Sequence, residues 1–376
     1  MKNTLGIIIS FDSANDLRDL TLHRPVASVQ FGGRYRAIDF MLSNLVNSGC
    51  TNVGILMRDK YQSLMDHLGS GKDWDLARKK GGMMLLPPNA YATKSSPLVT
   101  ENYRTSLEAL GSVADMLNKS KTEHVLICRG DLIANIPLDD VLAAHKESGA
   151  EVTIVCKEDA SQSPFDLFLS LDPNGAVVDM RNGDNYGGKC AYKSMGIYIM
   201  KRTYLIGLLS DCLTHNLRGL ESEALPYLFR ENAAMKGYVF HPYAAKLEDV
   251  KGYYDANMDM LDKCKRDQVF LKDRPIFTKV HDSTATVYGE NCEMNDSLIA
   301  DGCVIKGKVE NSVIFRDVVI EEGAVVKNCI LMEHTRVSAD TELNYVIADK
   351  SVTFSKGASM SGRESYPIVI AKGEKV

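Results

Sequence analysis

The C-terminal third of the chain carries a six-residue period that few folds can satisfy. Val313, Val319, Val325, Leu331, Val337 and Leu343 fall six apart. Val287, Ile299 and Ile305 keep that spacing ahead of them with one miss at Glu293, and Val346 and Val352 resume it in a shifted register. The intervening residues are polar or small, as in Ile320-Glu321-Glu322-Gly323-Ala324-Val325. Short strands that turn every six residues and stack their inward aliphatics into continuous ladders produce this pattern. It predicts a left-handed parallel β-helix over 279–362, whose open ends and flat faces suit subunit contacts. A β-sandwich of short strands is the minority alternative.

The first two thirds read differently. Apolar runs of strand length at 5–9, 53–57, 125–128 and 152–156 alternate with helix-period segments such as 37–46, 106–117 and 138–145. Such alternation implies βαβ crossovers, an α/β class and a mainly parallel, Rossmann-like sheet covered on both faces. The expected layout is one domain over 1–266, a linker at 267–278 that contains Pro275, the β-helix at 279–362 and a tail at 363–376. Ligands of such sheets sit at the carboxyl ends of the strands, which directs attention to the loop after the first strand.

Composition excludes some classes of partner. A formal net charge of −5 over 376 residues gives no general attraction to nucleic acid or to an acidic membrane surface. No stretch approaches the roughly twenty apolar residues a membrane span needs, and the first ten residues show no signal-peptide pattern. The nine cysteines are scattered, with no CxxC pair, as in a reducing cytoplasm. The expected location is cytoplasmic.

Phe31-Gly32-Gly33-Arg34-Tyr35-Arg36-Ala37-Ile38-Asp39-Phe40, followed by Leu42-Ser43-Asn44 and Asn47-Ser48-Gly49, closely resembles the FGGKYRIIDF…LSN…NSG signature of the glucose-1-phosphate adenylyltransferase (ADP-glucose pyrophosphorylase) family. Further similarity appears at Lys60, Ser63, Leu64 and His67, at Gly130 and Asp131, at Ser194-Met195-Gly196-Ile197-Tyr198, and at Ala256-Asn257-Met258-Asp259. The resemblance spans the whole chain, because that family joins a Rossmann-like nucleotidyltransferase domain to a C-terminal left-handed β-helix. By resemblance, Asp131 and Asp249 align with the two carboxylates that hold the catalytic Mg²⁺. Arg24 and Arg36 match two basic positions of an activator phosphate pocket, where Gln30 replaces a histidine. These arginines either bind a sugar-phosphate effector through bidentate hydrogen bonds or form interdomain salt bridges.

The departures from the family pattern are as informative. Its GGxGxRLxxLT loop, where glycines let backbone N–H groups approach the nucleotide phosphates, aligns with Phe11-Asp12-Ser13-Ala14-Asn15-Asp16-Leu17-Arg18-Asp19-Leu20-Thr21. Every glycine is gone, Asp16 stands in place of the arginine, and Asp12 and Asp19 add negative charge. Two like charges about 4 Å apart in a partly screened site repel by about 4 kcal/mol. The family's essential lysine is replaced by Val26, its adenine-reading glutamine by Arg58 and its GTADA turn by Thr105-Ser106-Leu107-Glu108-Ala109. Its sugar-phosphate lysine motif is missing from 179–184, and its DVGT is cut to Asp249-Val250 followed by Lys251.

The resemblance is therefore to the GlgD-type, non-catalytic or weakly catalytic subunit of that family. It implies a homologous catalytic partner in a heterotetramer, no required cofactor, and Mg²⁺ only if residual activity exists. Two other readings stay open. One is an active nucleotidyltransferase that has moved phosphate neutralisation to Arg18 or Arg129. The other, from a different class, is a hexapeptide-repeat acyltransferase using His281 or His334, though neither lies in a recognisable acyl-CoA context.

Overall fold

The computed structural model of the chain describes residues 1–11, 17–88, 105–159, 166–183 and 190–376. In the first two thirds the strands are β1 (Thr4–Ile9), β2 (Gln30–Phe31), β3 (Tyr35–Arg36), β4 (Asn52–Leu56), β5 (Gly82–Leu86), β6 (His124–Arg129), β7 (Leu132–Ala134), β8 (Val152–Glu158), β9 (Leu167–Leu171), β10 (Val177–Asn182), β11 (Tyr192–Lys201), β12 (Met235–Val239) and β13 (Ala244–Lys246). All six residues of β1 are buried. It reads as an unbroken apolar run because both faces of the sheet are covered. Leu5, Ile7 and Ile9 enter one core, with Leu107, Leu110, Leu117, Leu205 and Leu208 from the helices on that face. Ile8 points the other way, to Ile38, Leu42, Leu64 and Val141.

The main sheet has the order β10-β9-β11-β6-β1-β4-β5, with β8 added beside β11 and β12 beside β8. Strands β6, β1, β4 and β5 run parallel, whereas β11 is antiparallel to β6, β8 and β9, and β9 to β10. The sheet is thus mixed: a parallel half that follows the βαβ alternation, and an antiparallel half around the long β11. The helical segment expected at 106–117 breaks at Val113 into the helices Ser106–Ser112 and Ala114–Lys119.

The C-terminal region is a three-sided parallel β-helix of three five-stranded sheets. Its inward ladders are Tyr288-Ile305-Ile320-Val337-Phe354, Met294-Val309-Val326-Leu343-Met360 and Ile299-Ile314-Leu331-Ala348-Ile370. From Ile320 to Val337 to Phe354 each rung advances seventeen residues, not eighteen. One side of each of these two coils is therefore a residue short, and the step from Ile305 to Ile320 is only fifteen residues, which corrects the strict six-residue reading. The inward residues are Ile314, Ile320 and Val326, one place after Val313, Val319 and Val325; the short side then brings Leu331, Val337 and Leu343 inward as read. Leu331→Ala is expected to cost about 2–5 kcal/mol and the half-buried, outward Val325→Ala about 0.5 kcal/mol, measured by denaturant unfolding.

The register was ambiguous because Val313-Ile314 and Ile330-Leu331 are apolar doublets. Their outer members are buried too: Val313, Phe315, Ile330, Met332 and Ile347 pack into one core with Leu17, Leu20, Phe31, Phe40 and Tyr253 of the first domain. That third face docks the β-helix onto the α/β domain. The segment set apart as a tail, 363–376, carries the strand Ile368–Ile370, which pairs with Val346–Ala348. Lys375 bridges to Thr353, so the chain end closes the last coil.

Candidate functional site

Strands β1, β4 and β6 deliver their carboxyl ends to one side of the sheet. After β1, Ser10 Oγ donates to the Leu56 carbonyl at 2.7 Å, and Phe11 follows. The next residues, including the sequence-singled Asp12 and Asp16, lie outside the described residues. Arg58, at the end of β4, lays its guanidinium 5.0 Å over the Phe11 ring and donates to Asp59 at 3.0 Å. Phe11 and Arg58, which by resemblance align with the family's phosphate loop and base-reading position, thus occupy each other. Arg18, in the left-handed region at φ 49°, turns to the β-helix: it donates to the Tyr366 hydroxyl at 2.7 Å and stacks 4.7 Å over that ring.

At the end of β6, Arg129 grips Asp131 with both arms of its guanidinium, Nε to Oδ1 at 2.9 Å and NH2 to Oδ2 at 2.5 Å. Asp131 is almost fully buried and Arg129 mostly so. This fork-to-carboxylate geometry is the strong form of an ion pair. Room for it comes from Gly196 on β11, at φ +70°, where an added Cβ would lie 2.3 Å from Arg129 Cδ. Gly196→Ala is expected to lose about 2–4 kcal/mol from combined backbone strain and overpacking, read as a fall in the unfolding midpoint.

Asp249 has a separate local task. It is exposed and caps the helix Val250–Met258, accepting from the Gly252 N–H at 2.6 Å. Two carboxylates plus phosphate oxygens would suit Mg²⁺. Here both oxygens of Asp131 are engaged by a guanidinium and Asp249 is committed to its cap, so this donor set does not fit a resident divalent ion. Among the described residues, no group of three or more His, Cys, Asp and Glu side chains is placed to hold a metal.

A second ion network lies beside this pair and has no local sequence signal. Lys193 of β11 reaches Asp166 at 2.5 Å and Glu248 at 3.5 Å, and Lys246 of β13 reaches the same two carboxylates at 2.7 and 2.8 Å. Burial pushes the Asp166 carboxyl up, but Lys246 and Lys193 outweigh it and hold its pKa below the usual range. For Lys246, burial and Arg129 pull the pKa down, while Glu221, Asp166 and Glu248 together carry it above the ordinary lysine value. Glu221 also takes the hydroxyl of buried Tyr198. Arg129, Lys193 and Lys246 therefore face Asp131, Asp166, Glu221 and Glu248. Each of the three cations has a carboxylate partner within the protein.

The arginines expected to hold phosphate come together at the domain junction. Arg24, buried, donates Nε to the Leu20 carbonyl at 2.9 Å and pairs with buried Asp349 of the β-helix. Arg36 donates to Ser28 Oγ at 2.5 Å and to the Ser63 carbonyl at 2.7 Å; burial lowers its pKa, against the raising influence of Glu333. Lys350 joins them, 2.7 Å from Glu333, its own pKa lowered by burial. Burial would raise the Glu333 carboxyl, yet Lys350 and Arg36 hold it below the usual range. Val26, which by resemblance aligns with the family's lysine, is buried in the junction core, and Gln30 Oε1 is buried without a hydrogen-bond partner.

The Phe31-Gly32-Gly33 signature forms the tip of the β2–β3 hairpin. Gly32 and Gly33 sit at φ 60° and 84°, Gly32 N–H donates to Asn257 Oδ1 at 2.9 Å, and Gly33 faces the Ile314 carbonyl of the β-helix. In this fold the signature is a joint between domains. His334 occupies an exposed turn 3.8 Å from Asp317, and His281 precedes the first coil.

Comparison with known proteins agrees with this architecture. Residues 5–263 match the nucleotidyl transferase family and residues 280–364 the GlmU-like C-terminal hexapeptide family. The chain is 34% identical over 375 residues to the glycogen biosynthesis protein GlgD of Bacillus subtilis, spanning 98% of this chain and 96% of that one. It is 33% identical over 328 residues to GlgD of Geobacillus stearothermophilus, spanning 86% and 82%. It is 28% identical over 374 residues to the glucose-1-phosphate adenylyltransferase of Acetivibrio thermocellus, spanning 97% and 85%.

Proposed function

We propose that this chain, which belongs to the nucleotidyl transferase family, is a catalytically deficient, regulatory subunit of a glucose-1-phosphate adenylyltransferase in glycogen biosynthesis. It acts by pairing with a homologous catalytic subunit, as a heterotetramer in the cytoplasm. The observation that carries this reading is a cleft filled by its own side chains. Arg129 neutralises Asp131, Lys193 and Lys246 neutralise Asp166 and Glu248, and Arg58 stacks on Phe11. A site that stabilises departing pyrophosphate needs cations preorganised toward the substrate. Here those cations are already directed at carboxylates of the protein.

The same geometry weakens the reading as an independent enzyme. Arg18 is turned onto Tyr366 and Arg129 onto Asp131, so both arginines proposed for phosphate neutralisation have protein partners. No helix among the described residues is long and apolar enough to cross a membrane.

Regulation enters at the domain junction, where Arg24, Arg36 and Lys350 form a cationic group balanced by Asp349 and Glu333. A sugar-phosphate effector would bind there by exchanging protein carboxylates for phosphate oxygens. Mixing purified catalytic subunit with this chain is expected to raise the partner's activity or change its substrate affinity, and the two should co-elute. An unchanged partner would count against the assignment. For the effector, calorimetry with fructose bisphosphate should give saturable binding; a flat titration would remove that part.

A further inference from the structure

The end of the α/β domain opposite the cleft holds a cavity of about 520 Å³ that the nucleotidyl-transfer reading does not use. It lies where β1 and β4 begin, beside edge strand β5, and is closed on one side by the helix Ala114–Lys119 and the turn after it. Its floor is apolar, made by Leu5, Met84 and Met116. Its rim carries Lys2, Lys119 and Lys121, all exposed. Among the described residues, no aspartate or glutamate lines it.

From this lining the geometry points to a binding site for an amphipathic anion: a compact acyl or aryl body seated on the methionines, with a carboxylate or phosphate head among the lysines. The volume lies within the range of small-molecule sites, about 300–1,000 Å³. Methionine's flexible, polarisable side chain adapts to varied apolar bodies. Lysines with their heads in water supply an ionic-strength-dependent attraction for the head group. Three cations without a lining carboxylate disfavour a cationic ligand, and the apolar floor disfavours a bare inorganic anion. The cavity sits at the amino ends of the parallel strands, so its occupant is distinct from a nucleotide bound at their carboxyl ends.

Isothermal calorimetry on the full chain with octanoate and with octyl phosphate tests the site, with octanol and inorganic phosphate as the tail-only and head-only arms. One saturable site per chain is expected for at least one of the two amphipathic anions, bound at least about tenfold (about 1.4 kcal/mol) more tightly than octanol or phosphate. The stronger of the two anions identifies the head group. Lys119→Glu combined with Lys121→Glu, both at exposed positions, should weaken binding by a further factor of about ten, and Met116→Glu should do the same from the floor. Octanol binding as tightly as the anions, absence of a saturable site, or unchanged affinity in the double lysine variant would each overturn the proposal.

Discussion

Asp131→Ala is expected to lower the unfolding free energy by about 3–5 kcal/mol, because it strands the largely buried Arg129 guanidinium without its carboxylate. Removing both partners, in Arg129→Ala with Asp131→Ala, should cost less than removing Asp131 alone, since no uncompensated charge is then left inside. Guanidinium unfolding curves of the parent, the two single variants and the double variant measure this directly. A carboxylate retained only to hold a metal behaves differently: its loss relieves repulsion and leaves stability unchanged or improved. A neutral or stabilising Asp131→Ala would therefore remove the structural role assigned to the pair.

The second large effect is expected across the domain junction. Arg24→Ala should cost about 3–5 kcal/mol, because Asp349 would remain buried in the β-helix without its ion partner. A double-mutant cycle between the two positions should show a coupling of about 0.5–3 kcal/mol. The junction is also an apolar core that includes Phe31, Phe40, Phe315 and Met332. Weakening the ion pair should therefore lower one shared unfolding transition rather than release the β-helix alone. A separate, earlier melting of the β-helix in Arg24→Ala would contradict that view.

Much of this architecture was legible in the residues, and the exceptions have physical causes. The parallel half of the sheet was readable because strands buried on both faces, such as Thr4–Ile9, become continuous apolar runs. The antiparallel half was not, since β9, β10 and β11 are not long apolar runs and no α-helix among the described residues separates them. The solenoid was evident from its period, but its register was misread by one residue where both faces of a coil are covered. Val313 faces the first domain and Ile314 the ladder, and aliphatic character alone does not distinguish them.

The site divides in the same way. The departures from the family pattern could be read position by position, because each change of residue type alters the available chemistry. What replaced them could be inferred only in part. Arg129 and Asp131 are two residues apart at a strand end, a spacing that could have suggested their pairing. Lys193, Lys246, Asp166 and Glu248 come from distant parts of the chain, and only the antiparallel insertion around β11 and the β7–β13 pairing bring them together. Arg24 and Arg36 were singled out by resemblance, but their partners Asp349 and Ser63 lie 325 and 27 residues away and carried no local signal.

On the proposed function, the cleft is occupied by the protein's own charges and does not perform nucleotidyl transfer. The direct measurement is ADP-glucose formation from ATP and glucose 1-phosphate, with Mg²⁺ present, by the purified chain alone and after addition of the catalytic subunit. Background rates are expected for the chain alone, and an altered rate or substrate affinity for the mixture. Turnover by the isolated chain at a rate comparable to that of the catalytic subunit would contradict the proposed function.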